Sequence, residues 1–142
     1  MIRVVIDANQ FVSALLKPAS NPADVIRLVR ERKIQLIMSP EIIEEIRAVL
    51  LYPKIVKRHR RTSEQIDLFL KKLTKVAIIT QSGPNFDVIK EDPSDNKYLA
   101  CAVEGGAEYL ISGDRHLINL RTFRGITITD PAHFLKIVEG KV

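Results

Sequence analysis

The segment Arg3-Val4-Val5-Ile6-Asp7 decides the fold class. Its apolar residues are too uniform for a half-exposed sheet, and they suit a central strand of a parallel sheet that is covered on both faces. The strand ends at an aspartate, so the Asp7 carboxylate is predicted at the carboxyl edge of that sheet. Apolar runs and amphipathic stretches alternate along the rest of the chain, which predicts an α/β protein.

Periodicity and capping residues predict the elements that surround this first strand. Further strands are predicted at residues 35–38, 76–80, 107–112 and 125–129, and a short extended piece at 86–89 follows a loop at 81–85. Helices are predicted through 11–16, from Asn21-Pro22, from Ser39-Pro40 to about Leu51, in part of 53–61, from Thr62, from Asp92-Pro93 to Gly105-Gly106, and from Asp130-Pro131 to Val138. Right-handed crossovers make this order a Rossmann-like, three-layer α/β/α sandwich with a mostly parallel central sheet.

The whole chain, residues 1–142, is predicted to form one domain, because no internal repeat, linker or low-complexity segment interrupts it. No run approaches the roughly 18 apolar residues that a membrane span needs, and the N-terminus has no signal-peptide pattern. We therefore expect a cytoplasmic protein with no membrane partner. The single cysteine, Cys101, is predicted to be a small core residue rather than a nucleophile.

The charge balance indicates a class of partner. The formal net charge is +5 and the isoelectric point is near 9.5, which favours a polyanion such as RNA, DNA or an acidic protein segment. The basic stretch at residues 54–61 is predicted to be a solvated helix face. Arg115, beside Asp114, is the better candidate for a phosphate contact.

Two aspartates follow predicted strands directly. Asp7 follows the first strand, and Asp114 follows the fourth after Ser112-Gly113. In open α/β sheets, ligand sites form outside the carboxyl ends of the strands, so both acids lie where a site is expected. Taken alone, each is better explained as a loop aspartate that caps the next helix.

Two further acids belong to predicted helices. Glu45 lies on the flank of the apolar face of its helix, where its carboxylate can face the sheet edge, whereas Glu44 lies opposite that face. Asp95 projects onto the middle of the apolar face of the helix after Asp92, and burying an ionised carboxylate is costly unless it is paired or bound to metal. The alternative for Asp95 is a first-turn acid that completes a capping box with Asp92.

Four acids directed toward one sheet edge predict a metal site. Carboxylates packed together repel one another unless a cation compensates their charge. They are hard oxygen donors, and no set of histidine and cysteine residues offers zinc a site, so Mg²⁺ or Mn²⁺ is predicted. A basic protein with such a site suggests phosphodiester chemistry.

The chain resembles the PIN domains, in particular the toxin components of toxin–antitoxin systems. The resemblance rests on Val4-Val5-Ile6-Asp7-Ala8-Asn9, Ser39-Pro40-Glu41-Ile42-Ile43-Glu44-Glu45-Ile46, Asp92-Pro93-Ser94-Asp95-Asn96-Lys97-Tyr98-Leu99-Ala100 and Tyr109-Leu110-Ile111-Ser112-Gly113-Asp114-Arg115-His116-Leu117. It implies that Asp7, Glu45, Asp95 and Asp114 are catalytic and hold one or two Mg²⁺ or Mn²⁺ ions, and that Asn9 and Ser112 orient them. It also implies endoribonuclease activity, an antitoxin that occludes the site, and a homodimer. His116 stands where some relatives carry another acid.

Three other classes of protein compete with the nuclease interpretation of this sequence. A non-catalytic RNA-binding module explains the size and charge, but it leaves unexplained why acids gather where a phosphate backbone would approach. A phosphoacceptor receiver domain would need paired acids after the first strand and a lysine after the last, and the chain has neither. Neither a G-x-G-x-x-G motif nor a P-loop supports a nucleotide binder.

Overall fold

The computed structural model of the chain describes residues 1–81 and 95–140. Its six-stranded sheet comprises β1 (Arg3–Ile6), β2 (Gln35–Met38), β3 (Ile78–Ile79), β4 (Tyr109–Ile111), β5 (Thr122–Phe123) and β6 (Ile126–Thr129). The strand order is β3-β2-β1-β4-β6-β5, and every neighbouring pair is parallel except β5 with β6. The predicted three-layer α/β class with a mostly parallel sheet is confirmed.

The helices in the described ranges are α1 (Ala8–Leu16), α2 (Asn21–Arg30), α3 (Pro40–Leu50), α4 (Pro53–His59), α5 (Ser63–Val76), α6 (Asn96–Gly105), α7 (Arg115–Ile118) and α8 (Pro131–Gly140). Several begin at the capping residues that the sequence predicts. As predicted, the side chain of Ser39 accepts a hydrogen bond from the first turn of α3, and Thr62 forms a capping box with Gln65. The cap of α2 is Ser20, one residue before the predicted cap Asn21, which is the first residue of the helix. None of these helices is long and apolar enough to cross a membrane.

The core explains why the first strand is so apolar. Val4 and Val5 of β1 have no exposed surface, and neither do Leu110 and Ile111 of β4 beside them. A strand whose successive side chains are all buried must be covered on both faces, as the sequence predicts. Gly105, at the end of α6, packs so closely on β2 that an added Cβ would lie 2.3 Å from Ile37 Cγ2.

Several predicted boundaries need correction. The strand predicted at 76–80 is only Ile78–Ile79, because α5 continues through Val76. Neither α7 nor the antiparallel strand β5 was predicted. Gly125 belongs to the turn between β5 and β6 rather than to a strand, since Arg124 and Gly125 both have positive φ values, of 50° and 83°. The piece predicted at 86–89, most of the loop at 81–85 and the helix start at Asp92-Pro93 lie outside the described residues.

Cys101 is a core residue, as predicted. It is 2% exposed on α6, and the Thr80 hydroxyl lies 3.8 Å from its Sγ. Burial raises the pKa of the Cys101 thiol to about 11, so the thiol stays protonated and unreactive at neutral pH.

Candidate active site

The site begins where β1 and β4 end side by side. Ile6 is paired with Ile111, and the Asp7 amide donates to the Ile111 carbonyl at 3.0 Å. The strand order reverses at this pair: β2 lies on the outer side of β1, and β6 lies on the outer side of β4. Such a reversal of strand order opens a crevice at the carboxyl edge of a parallel sheet, which is where ligands bind in this architecture.

Asp7 lies at the base of this crevice and is only 3% exposed. Its Oδ1 accepts hydrogen bonds from the Asn9 and Gln10 amides at the start of α1, and its Oδ2 accepts one from the Ser112 hydroxyl. Burial raises the pKa of Asp7, and the hydrogen bonds from Ser112 and from the backbone oppose that rise only in part. A cation beside this carboxylate would therefore favour its ionised form.

Ser112 joins Asp7 to Asp114. The Ser112 side chain is fully buried, and its Oγ accepts a hydrogen bond from the Asp114 amide at 2.9 Å while its hydroxyl donates to Asp7. Asp114 is half-buried and caps α7 through bonds from the His116 and Leu117 amides to its Oδ1. Ser112 therefore contacts one acid through its hydroxyl and the backbone of another through its Oγ, and its role in orienting them stays a prediction.

Glu45 reaches the same edge from α3. This helix follows β2, the parallel neighbour of β1, and Glu45 is half-buried on its flank as predicted, whereas Glu44 is exposed. The Tyr98 hydroxyl donates a hydrogen bond to Glu45 Oε1, and Lys97 Nζ lies 3.2 Å from Glu45 Oε2. Both oxygens of the carboxylate therefore have a partner on α6.

Tyr98 also reaches the first strand. It is 3% exposed, and its hydroxyl oxygen accepts a hydrogen bond from the Ala8 amide at 3.1 Å. Burial, followed by the hydrogen bond to Glu45, raises the pKa of Tyr98, so the phenol stays protonated and can donate throughout the physiological range.

Asp95 lies at the start of α6 and is 8% exposed, with its Oδ2 atom buried. Its side chain makes no hydrogen bond that caps the helix, so the burial predicted from the helical pattern is found without a capping role within α6. The proposed capping box with Asp92 lies outside the described residues. Asn9 is exposed, and its backbone amide rather than its side chain is the group seen to contact Asp7.

The structure links Asp7, Asp114 and Glu45 through intermediary side chains. Ser112 links Asp7 to the backbone of Asp114, and Tyr98 links Glu45 to the residue after Asp7. Among residues 1–81 and 95–140, no three Asp, Glu, His or Cys side chains form a group that would already hold a metal ion. The donors that are present are hard oxygens, which fits Mg²⁺ or Mn²⁺, and the sharing of one ion stays a prediction.

Sequence reasoning did not single out Tyr98 as part of the site. A usable signal was present, because a buried tyrosine usually needs a hydrogen-bond partner for its hydroxyl, and Tyr98 falls on the same helix face as Asp95. Lys97 was missed because an isolated lysine on a helix is most often a solvated residue.

Residues 3–116 match the PIN domain family. The chain belongs to this family. The PIN domain is 38% identical over 120 residues to an uncharacterized protein, MJ1680, of Methanocaldococcus jannaschii, a match that spans 84% of this chain and 76% of the relative. The resemblance to the PIN domains stated from the sequence is confirmed.

Solved structures share the fold of this PIN domain at low sequence identity. PAE2754 from Pyrobaculum aerophilum is 19% identical with a TM-score of 0.62, over 98% of this chain and 90% of the other. VapBC2 from Rickettsia felis, bound to a DNA fragment from its promoter, is 11% identical with a TM-score of 0.61, over 91% and 98%. FitAcB from Neisseria gonorrhoeae is 16% identical with a TM-score of 0.53, over 92% and 99%. These likenesses show the fold alone.

Proposed function

We propose that this PIN domain is a metal-dependent endoribonuclease and the toxin of a toxin–antitoxin pair. The observation that carries the proposal is Asp7, a desolvated carboxylate at the carboxyl end of the central strand, joined through Ser112 to Asp114. Tyr98 joins Glu45 to the backbone of Ala8, Asp95 is buried at the start of α6, and family membership favours a nuclease. We propose Asp7, Glu45, Asp95 and Asp114 as the residues that bind Mg²⁺ or Mn²⁺.

The chain's own residues would bind and orient the reactants. When bound, a divalent cation would polarise the phosphoryl oxygen and lower the pKa of a coordinated water. Ser112 holds the Asp7 carboxylate, and Tyr98 and Lys97 hold that of Glu45, so two candidate ligands are oriented by neighbouring side chains. Arg115 and His116 are exposed beside Asp114, where they can meet the phosphate backbone of the substrate.

An antitoxin requires a protein-binding surface, and a groove of about 480 Å³ on α1, α2 and α5 fits one. Its floor is apolar and includes Leu68, which is 53% exposed. The basic residues at its rim are Arg30, Arg32, Arg61, Lys72 and Lys75, and no acid is among the described residues that line it. An acidic amphipathic helix complements this surface in both shape and charge. We propose that the antitoxin binds in this groove through such a helix. The proposed complex is cytoplasmic and contains a homodimer, in which each chain forms one domain over residues 1–142.

The Leu68→Glu variant tests this partner, because it places a like charge in the path of an acidic helix. An immobilised acidic amphipathic peptide should recover the wild type and should fail to recover Leu68→Glu. Equal recovery of both would remove the groove from the proposal.

Cleavage of RNA tests the catalytic assignment. The purified wild type should cleave RNA in the presence of Mg²⁺ or Mn²⁺, and a chelator should stop this cleavage. The cleavage rate of Asp7→Asn should be lower by at least about 100-fold. Asp67→Asn is the matched control, because Asp67 is an exposed acid of α5 that pairs with Arg47. Cleavage by Asp7→Asn at the wild-type rate would exclude this chemistry.

The alternative is a non-catalytic RNA-binding module of the same fold. Such a module would bind RNA equally well with and without the chelator, and Asp7→Asn would not weaken that binding. Removing a negative charge beside the phosphate backbone would instead strengthen it.

A further inference from the structure

The Tyr98 hydroxyl connects the two sides of the site. It donates to Glu45 Oε1 on α3 and accepts from the Ala8 amide, which opens α1 directly after Asp7. Tyr98 itself belongs to α6, so one oxygen atom joins three helices within the crevice. A phenol has one proton to donate, and here that proton goes to the carboxylate.

The hydroxyl, rather than the ring, needs an explanation. The ring lies on the buried face of α6 with Leu99 and Ala102, where phenylalanine would fill nearly the same volume. A buried hydroxyl costs free energy unless it is hydrogen-bonded, so its presence is explained by the two groups that it holds. One of these groups is a candidate metal ligand and the other is the backbone next to a second candidate.

We propose that Tyr98 is a positioning residue that sets the separation between the Glu45 and Asp7 carboxylates, so that both can share a divalent cation. This inference rests on the proposed function. Lys97 holds the other oxygen of Glu45 at 3.2 Å, but its side chain is long and flexible and can follow the carboxylate away from the crevice. Without the Tyr98 hydroxyl, Lys97 is the one side chain in the described part of the chain that still holds the Glu45 carboxylate, and the start of α1 loses its hydrogen bond to α6.

Removal of one oxygen atom tests the inference. Tyr98→Phe should raise the Kd of Mn²⁺, measured by isothermal titration calorimetry on the full chain, by 10- to 100-fold, as is typical when a group that orients a ligand is lost. Tyr109→Phe is the matched control, because Tyr109 lies on β4 with its ring against Phe134 and should leave that Kd unchanged.

The melting temperature without metal separates positioning from a merely structural role. A Tyr98→Phe protein that melts earlier in chelator but binds Mn²⁺ as tightly as the wild type would overturn the inference. A wild type that binds no Mn²⁺ at all would overturn the proposed function first, so the two failures are distinguishable.

A second measurement avoids dependence on that variant's folding. The chain has three tyrosines, so wild-type protein labelled with 3-fluorotyrosine should give three ¹⁹F resonances, and Tyr52→Phe and Tyr109→Phe spectra identify that of Tyr98 by elimination. Addition of Mg²⁺ should move the Tyr98 resonance because its acceptor, Glu45, becomes a ligand. A resonance that does not move while Mg²⁺ binds would also overturn the inference.

Discussion

The Ser112 hydroxyl donates a hydrogen bond to Asp7 Oδ2 across the boundary between β1 and β4, although the two residues are 105 positions apart. The bond offsets part of the cost of burying the carboxylate, and Ser112 Oγ also accepts from the Asp114 amide. The Ser112 side chain therefore links the residues that follow the two central strands, β1 and β4, at the candidate site.

Ser112→Ala should lower the free energy of unfolding by about 1–3 kcal/mol, because a buried carboxylate loses a donor and an amide loses its acceptor. Urea denaturation in the presence of chelator measures this change. Ser63→Ala, at an exposed position in the first turn of α5, should change stability by no more than about 0.5 kcal/mol. Equal stabilities for the two variants would show that the Ser112 bond contributes nothing.

Asp7→Asn should be at least as stable as the wild type in chelator at pH 8, since the amide keeps an oxygen for the α1 cap and carries no charge. Burial raises the folded-state pKa of Asp7, so wild-type stability falls as pH rises from the unfolded pKa, about 3.9, through the folded one. The advantage of Asp7→Asn should therefore be larger at pH 8 than at pH 4. Thermal melts of both proteins at pH 4 and pH 8 measure this stability difference. A smaller advantage of Asp7→Asn at pH 8 than at pH 4 would contradict a raised pKa for Asp7.

Gly105→Ala should destabilise the protein by about 1–3 kcal/mol, because the new Cβ would overlap the buried Ile37 side chain and the core would have to shift. Gly140→Ala serves as the control, since no atom lies within 4 Å of the Cβ that it adds at the end of α8. Chemical denaturation compares the two. A Gly105→Ala protein as stable as Gly140→Ala would mean that α6 and β2 are packed less closely.

Asp130→Ala should cost about 1 kcal/mol at pH 7, because Asp130 accepts a hydrogen bond from the His133 amide at the start of α8. That bond is the main reason why the pKa of Asp130 is lowered. An acid with a lowered folded-state pKa contributes stability above its unfolded pKa and loses it as pH falls through the folded value. The difference between variant and wild type should thus shrink as the pH falls below the folded-state pKa of Asp130, and a difference that stays constant with pH would contradict this origin.

The sequence was sufficient for the central strands and for most helix starts, because these depend on local signals. Val4 to Ile6 could only be a covered strand, and Ser39-Pro40 and Thr62 mark helix starts that the structure confirms. Asp7 and Asp114 were placed correctly because strand ends share one edge in a parallel sheet. Glu45 and Asp95 were predicted from helical geometry alone, and their part in a metal site stays a prediction.

The features that were not predicted from the sequence depend on contacts between distant segments, or belong to elements too short to show a periodic pattern of apolar residues. β5 has two residues, and its pairing with β6 depends on positive φ values at Arg124 and Gly125, of which only the glycine is a recognisable signal. The hydrogen bond between Tyr98 and Glu45 joins residues 53 positions apart, which no local pattern reports. The end of α5 was misplaced because Val76 suits both a helix and a strand.

Asp7 and Asp114 each use one carboxylate oxygen to begin a helix. Alanine scanning at these positions would therefore confuse two effects, since an inactive variant would have lost both a helix cap and a charge. Shape-matched asparagine variants keep the cap and remove only the charge, so they are the informative substitutions. Natural homologues that carry asparagine in place of both aspartates are expected to keep the fold without the catalytic activity.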